Sequence, residues 1–323
     1  MSRAAEPNGR ELASRLREGD LSAAPAVLNL VENRSPDSRQ QSAELLAALS
    51  PAALGHEAPG HIVGITGPPG VGKSTLLSRL TAEWRARQRT VAVLAVDPTS
   101  RRSGGALLGD RARIEVDPSD RSVFIRSTAA GDRLGGLAPA TRAAASALAT
   151  AFDVVVIETV GVGQSETEIA EVADTVVVVI QPGSGDVLQF LKAGIMEVPD
   201  VLVVTKADLG ALATRAAADL RAALRSLGES ATAVVAVSAI PPGTGIVELV
   251  DALNAHRAAL DLTQRRLQAR RLHALGDFVS EFGERGIRAL GGRRSAEEWL
   301  QEQDSDHDVP TLLSALERKS GLK

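Results

Sequence analysis

The sequence predicts an α/β fold, a mostly parallel sheet covered by helices on both faces, and three observations predict it. Between His61 and Val237, apolar runs alternate with amphipathic helical patterns. The runs are mostly continuous, as strands buried on both faces require. The first run leads into Gly67-Pro68-Pro69-Gly70-Val71-Gly72-Lys73-Ser74, which fills the template G-x-x-x-x-G-K-[ST] and passes into a helical pattern. The expected architecture is therefore a P-loop NTPase domain with N-terminal and C-terminal helical extensions.

Residues 1–57 form the N-terminal extension. Leu12, Leu16, Leu28, Leu30, Val31, Leu45, Leu46 and Leu49 recur at spacings that suit short helices. A segment with Gly55, Pro59 and Gly60 reads as a linker. The nucleotide domain spans 58–259. Its strands are expected at His61–Thr66, Thr90–Val96, Ser122–Arg126, Val154–Ile157, Thr175–Ile180, Val201–Val204 and Ala233–Val237, each an apolar run. Helical spacing places helices at about Thr75–Gln88, Pro139–Ala151, Val187–Ile195, Ala211–Leu227 and Gly245–Ala259. Residues 260–323 carry no strand signal. Leu267, Leu272, Leu275, Val279, Phe282 and Ile287 approach a heptad, which suits packing on the sheet domain or pairing with a second copy. A polar break from Gln301 to Asp308 precedes a last helix with Pro310 in its first turn.

Composition narrows the partners. The formal charge of −4 and an aromatic content of 2% without Tyr argue against nucleic acid. No run has the length of a membrane span, and Met1 to Pro7 lacks the apolar core of a secretion signal, so a cytoplasmic location away from membranes is expected. The chain has no Cys, and its five His are scattered without ligand spacing.

The glycine-rich loop sets the chemistry. Its backbone must turn sharply and aim successive N–H groups at one anion, which side chains would obstruct. Gly67, Pro68, Pro69, Gly70, Val71, Gly72, Lys73, Ser74 and Thr75 are thus the phosphate-binding set, with Lys73 as a point charge and Ser74 as a hydroxyl ligand for Mg2+. The alternative is an ordinary Gly-rich turn before a helix. Further on, Thr205-Lys206-Ala207-Asp208 ends a strand as T-K-x-D, a variant of the guanine-reading N-K-x-D. A carboxylate at Asp208 can accept from the ring N–H and the exocyclic amine of guanine, a pair that adenine lacks. Lys206 would lay its stem along the purine. Thr205 replaces the Asn that cross-braces this loop, so a weaker brace is expected. Ser238-Ala239-Ile240 fits the S-A-x loop whose backbone N–H groups meet the guanine oxygen; an ordinary strand exit is the alternative. GTP and GDP are the expected ligands.

Asp97 follows one strand and Glu158 ends another, the latter in an acid-x-x-Gly pattern with Gly161. Both acids should face the magnesium, Glu158 orienting a metal-bound water and Gly161 approaching the terminal phosphate. Either acid alone could cap a helix instead.

These residues resemble the MeaB/ArgK group, the methylmalonyl-CoA mutase-associated GTPases. The resemblance runs from about His61 to Leu260. It rests on V-D-P-T-S-x-R-S-G-G-A-L-L-G-D (Val96 to Asp110), I-E-T-V-G-V-G-Q-S-E (Ile157 to Glu166) and Q-P-G-S-G-D (Gln181 to Asp186). It implies that Asp110 joins Asp97 and Glu158 at the metal, and that Gln181 to Lys192 forms a mobile segment reporting nucleotide state. It also implies a partner, an adenosylcobalamin-dependent acyl-CoA mutase whose cofactor loading and reactivation the GTPase gates. A homodimer joined through the C-terminal helices, residues 260–323, is implied as well. The departures from the family's pattern are Thr205 and the C-terminal tail, the latter leaving the dimer geometry open.

Lys73, Glu158 and Gln164 are the candidate catalytic residues. Val162 stands where Ras-like GTPases carry a water-positioning Gln, so slow intrinsic hydrolysis is expected, quickened by the partner. Gln164 is the internal candidate for that role, a structural hydrogen bond being its alternative. Two other functions fit a phosphate loop. A nickel metallochaperone GTPase would need a Cys or clustered-His site, which this sequence lacks, and a P-loop kinase is opposed by the guanine motifs.

Overall fold

The computed structural model describes residues 7–97, 114–129, 137–159, 165–183 and 199–322. In chain order the elements are α1 (Gly9–Arg17), α2 (Ala24–Glu32), α3 (Pro36–Ala48), α4 (Pro51–Leu54), β1 (His61–Thr66), α5 (Lys73–Ala86), β2 (Val91–Asp97), β3 (Val123–Ala129), α6 (Pro139–Leu148), β4 (Val154–Thr159) and α7 (Ser165–Val172). They continue as β5 (Thr175–Ile180), β6 (Val201–Val204), α8 (Ala211–Leu227), β7 (Ala233–Ala236), α9 (Ile246–Ala259), α10 (Leu262–Ala289), α11 (Arg293–Gln301) and α12 (Val309–Ser320). Contacts group the chain into two units, one of Met1–Gly60, Pro139–Ala151 and Asp261–Lys323, the other of His61–Ala138 and Phe152–Leu260.

The second unit holds a seven-stranded sheet in the order β3-β2-β4-β1-β5-β6-β7, with every neighbouring pair parallel. This is the expected fold class. One face packs Val63, Ile65, Val156, Val177 and Val203 against Leu76, Leu77, Leu80 and Trp84 of α5 and Leu249, Val250 and Leu253 of α9. On the other face α7 lies so close to β1 that a Cβ on Gly64 would stand 2.6 Å from Ile169 Cγ1. Helices therefore cover both faces. Three strand ends run past the apolar residues that mark them in the sequence: β2 takes in Asp97, β3 Ser127 to Ala129 and β4 Glu158 and Thr159. Ladder pairing extends a strand whatever its side chains, as Asp97↔Ala129 and Ala95↔Glu158 show. The eight-residue α7 carries little helical periodicity in the sequence, whereas α8 occupies its expected Ala211–Leu227.

The first unit is a bundle of helices from three stretches of chain. Leu12, Leu16, Val27, Leu28 and Leu45 form one buried set, and Leu275, Phe278, Leu300, Leu312 and Leu316 belong to another. Side-chain caps fix the helix starts: Asn8 accepts from Glu11 N at 2.9 Å, Asp261 from Gln264 N at 3.0 Å and Asp308 from Thr311 N at 2.7 Å. The linker before β1 is fastened to α10. Arg266 donates to the carbonyls of Ala58 and Gly60, each at 2.6 Å, and Arg270 pairs with the largely buried Glu57 at 2.8 Å. Gly283 interrupts α10 with φ 57 and ψ −152. The helix expected over Val187–Ile195 lies outside the described residues.

Candidate nucleotide site

Because neighbouring strands are all parallel, their C-terminal ends share one edge of the sheet, where β2 and β4 end and the loops leaving β1, β6 and β7 open. Ligands of such sheets sit in that crevice. The loop after β1 leaves at Gly67, whose φ is 143 and whose Cβ, were there one, would stand 2.2 Å from Val179 O. No larger residue fits this close approach to β5. At the other end α5 begins after Gly72, a left-handed N-cap with no side-chain hydrogen bond to the helix. The first turn's N–H groups and the positive helix end are thus left to an anion.

Lys73 folds back over the loop. Its buried Nζ donates to Gly67 O at 2.7 Å and Pro68 O at 3.1 Å, a pose that centres the ammonium over the turn. A phosphate oxygen is a stronger, charge-assisted acceptor for the same group. One residue on, Ser74 Oγ donates to Glu158 Oε1 at 3.0 Å. Glu158 is 4% exposed and stands in the ladder between Ile65 and Ala95. A hydroxyl and a carboxylate at hydrogen-bond distance are hard oxygen donors, the chemistry that Mg2+ selects, so this pair fits the ion. Asp97 ends β2 one position past the Val96↔Thr159 pair. Behind them Thr159 Oγ1 donates to Thr66 Oγ1 at 3.0 Å, tying β4 to β1 at the mouth of the loop.

The loops after β6 and β7 form the other end of the site. Thr205 Oγ1 lies 2.8 Å from Val71 O and 3.1 Å from Ile180 O, so the brace to the phosphate loop exists, with one hydroxyl hydrogen between two carbonyls. The weaker brace expected from the missing Asn has this physical form: an Asn amide brings two N–H donors, a Thr hydroxyl one. Lys206 adopts φ 56, and its Nζ donates to Gln181 Oε1. Ser238 Oγ donates to Asp208 Oδ1 at 2.9 Å, leaving that exposed carboxylate further acceptor capacity for the edge of a base. Sequence reasoning gave Ser238 only a backbone role. It also missed Arg79 on α5, whose Nε donates to Ala239 O at 2.9 Å. No motif contains Arg79, and nothing in the sequence marks it. Asp110, Gly161 and Gln164 lie outside the described residues, as does Lys192, and Asp97 is described by its backbone alone.

Comparison with known proteins gives the same outline. The family model for the methylmalonyl Co-A mutase-associated GTPase MeaB matches residues 24–284. A Pyrococcus abyssi protein classed as a GTPase is 44% identical over 268 residues, 81% of this chain and 80% of its own. The mitochondrial methylmalonic aciduria type A homolog of Caenorhabditis elegans is 39% identical over 211 residues, 63% of this chain and 53% of its own. Among solved structures, a LAO/AO transport system kinase superposes with a TM-score of 0.64 at 28% identity, over 93% of this chain and 99% of that one. Among the described residues no helix is long and apolar enough to cross a membrane.

Proposed function

The chain belongs to the MeaB family of methylmalonyl-CoA mutase-associated GTPases, and from that premise we propose that its GTP cycle gates cofactor loading and reactivation of an adenosylcobalamin-dependent acyl-CoA mutase. The observation that carries the nucleotide half is the pair Ser74 and Glu158, 3.0 Å apart beside a lysine held over the loop. In this reading Gly67 to Thr75 cradle the phosphates with Lys73, and Gly161 approaches the terminal one. Ser74, Asp97, Asp110 and Glu158 hold Mg2+, which when bound supplies positive charge to the phosphate oxygens. Thr205, Lys206 and Asp208, with Ser238, Ala239 and Ile240, take the guanine. Lys73 stabilises charge on the transferring group, Glu158 orients water and Gln164 completes its positioning, an economical set because phosphoryl transfer asks mainly for placement and charge.

The mutase half rests on the family's description and on the name of the Caenorhabditis relative. Its physical requirement is a surface that changes with the nucleotide, a role this reading gives to the segments 96–110, 161–168 and 181–192. We extend the proposal to a homodimer through residues 260–323 and to a cytoplasmic location. The test has two arms. Equilibrium binding of GTP against ATP, with Mg2+ present, should favour GTP; ATP preference overturns the base assignment. Pull-down of a cobalamin-dependent mutase in GDP and GTP-analogue states should differ, and identical recovery in both states overturns the gating.

A second reading, phosphorylation of an acceptor, is favoured by the kinase named in the superposed structure. Labelled γ-phosphate decides it: recovery as inorganic phosphate supports hydrolysis, and recovery on an acceptor supports the kinase.

A further inference from the structure

We infer that Arg79 is a positioning residue for guanine recognition, acting through the peptide that joins Ala239 to Ile240. The inference rests on the base reading above and adds to it the residue that aims the donor.

Arg79 projects from α5, the helix that follows the phosphate loop, and its Nε reaches across to Ala239 O at 2.9 Å. Its partner lies 160 positions away in sequence. Among the described residues the only cis peptide is Pro241-Pro242, so the Ala239–Ile240 peptide is trans. In a planar trans peptide the carbonyl and the following N–H point to opposite sides. Holding Ala239 O toward α5 therefore holds the Ile240 N–H away from it. That N–H belongs to the S-A-x loop expected to meet the oxygen at C6 of guanine. The same loop is pinned at Ser238, whose hydroxyl engages Asp208 and whose backbone pairs with Thr244. Arg79 thus fixes the rotation of one peptide plane in a loop already anchored on its other side. A charged donor suits the task, because its hydrogen bond to a carbonyl is stronger than one between neutral groups.

The mechanism makes a selective prediction. Loss of the aim should matter only to bases that carry an acceptor at C6. Affinities of the Mg2+ complexes of GTP, ITP and 2-aminopurine riboside triphosphate, which lacks the oxygen, are measured for the full chain and for Arg79→Ala. We expect GTP and ITP each to weaken by about fivefold, the scale of one impaired hydrogen bond, and the 2-aminopurine nucleotide to be unchanged. Arg79→Lys, which keeps a cationic donor, should recover most of the loss. An equal loss for all three nucleotides, or no loss for any, would overturn the inference. If the unaltered chain already binds the 2-aminopurine nucleotide as tightly as GTP, the base reading itself falls, and the two failures are thereby distinguished. Should Arg79→Ala not fold, Arg79→Lys and Arg79→Gln carry the same comparison.

Discussion

Thr205→Val is the most direct probe of how the two ends of the site are joined. Valine matches threonine in shape and removes only the hydroxyl, which lies 2.8 Å from Val71 O and 3.1 Å from Ile180 O at a position 6% exposed. Ile180 O keeps a backbone partner, the N–H of Thr205 at 2.8 Å, so its loss is small. The Val71 carbonyl bears the change. A buried polar group deprived of its partner costs about 1–3 kcal/mol. Some of that cost is recovered if the phosphate loop shifts to meet water, which places the net nearer the low end. If the bonded loop is the form that holds nucleotide, GDP should dissociate about five- to thirtyfold faster, with a smaller loss of affinity for inorganic phosphate analogues that never touch the base loop. Stopped-flow displacement of a fluorescent GDP reads the rate directly. Thr205→Asn should act in the opposite direction, because its amide offers a hydrogen to each carbonyl. Dissociation rates that agree within twofold across all three chains would refute the brace as a link between the loops.

Three other changes bear on separate parts of the molecule. Asp208→Asn exchanges an acceptor for a donor against the base; affinity for GTP should fall by about tenfold or more while affinity for XTP, whose C2 oxygen accepts, rises, as competition binding would report. Gly67→Ala sets a Cβ 2.2 Å from Val179 O in a backbone that L residues rarely adopt, so both the melting temperature and nucleotide binding should drop. His273, buried and beside the charge of Arg142, has its pKa pushed down to about 3 by burial first and that charge second. Its folded value lies below the unfolded value near 6.5, so the unfolded chain takes up the proton first and stability falls by about 1.4 kcal/mol per pH unit below pH 6.5 until the folded value is reached. His273→Leu should flatten that acid limb in melts between pH 7 and pH 4.5, and an unchanged slope would dismiss the histidine as its source.

The sheet was legible because its inner strands β1, β2, β4, β5 and β6 are buried on both faces and so read as mostly apolar runs, such as Ile62 to Ile65 and Val201 to Val204. The phosphate loop was legible because its backbone demands glycine where the fold admits nothing larger, and Gly67 shows that constraint in its contacts. Polar strand ends such as Asp97 and Thr159 were not, since pairing partners extend a ladder without leaving a mark on composition. Arg79 was invisible for a related reason. A lone arginine on a helix face reads as solvated, and only the fold brings it to a carbonyl 160 positions on. Likewise, α6 groups with the terminal helices through contacts such as those with α2, which no local pattern encodes.

That last arrangement has a consequence for how the chain acquires its shape during synthesis. The helical unit is assembled from stretches at the beginning, the middle and the end of the polypeptide, while the sheet-bearing unit is finished once Leu260 has emerged. Leu12, Leu16 and Leu45 leave the ribosome early, yet the arginines that clasp the Glu57 to Gly60 stretch arrive only with residues 266 and 270. Between those moments the opening helices lack part of their permanent company, the interval in which exposed apolar surface invites chaperones or aggregation. Nascent chains arrested before residue 260 should accordingly show protease-sensitive amino-terminal helices, and chains released at full length should not.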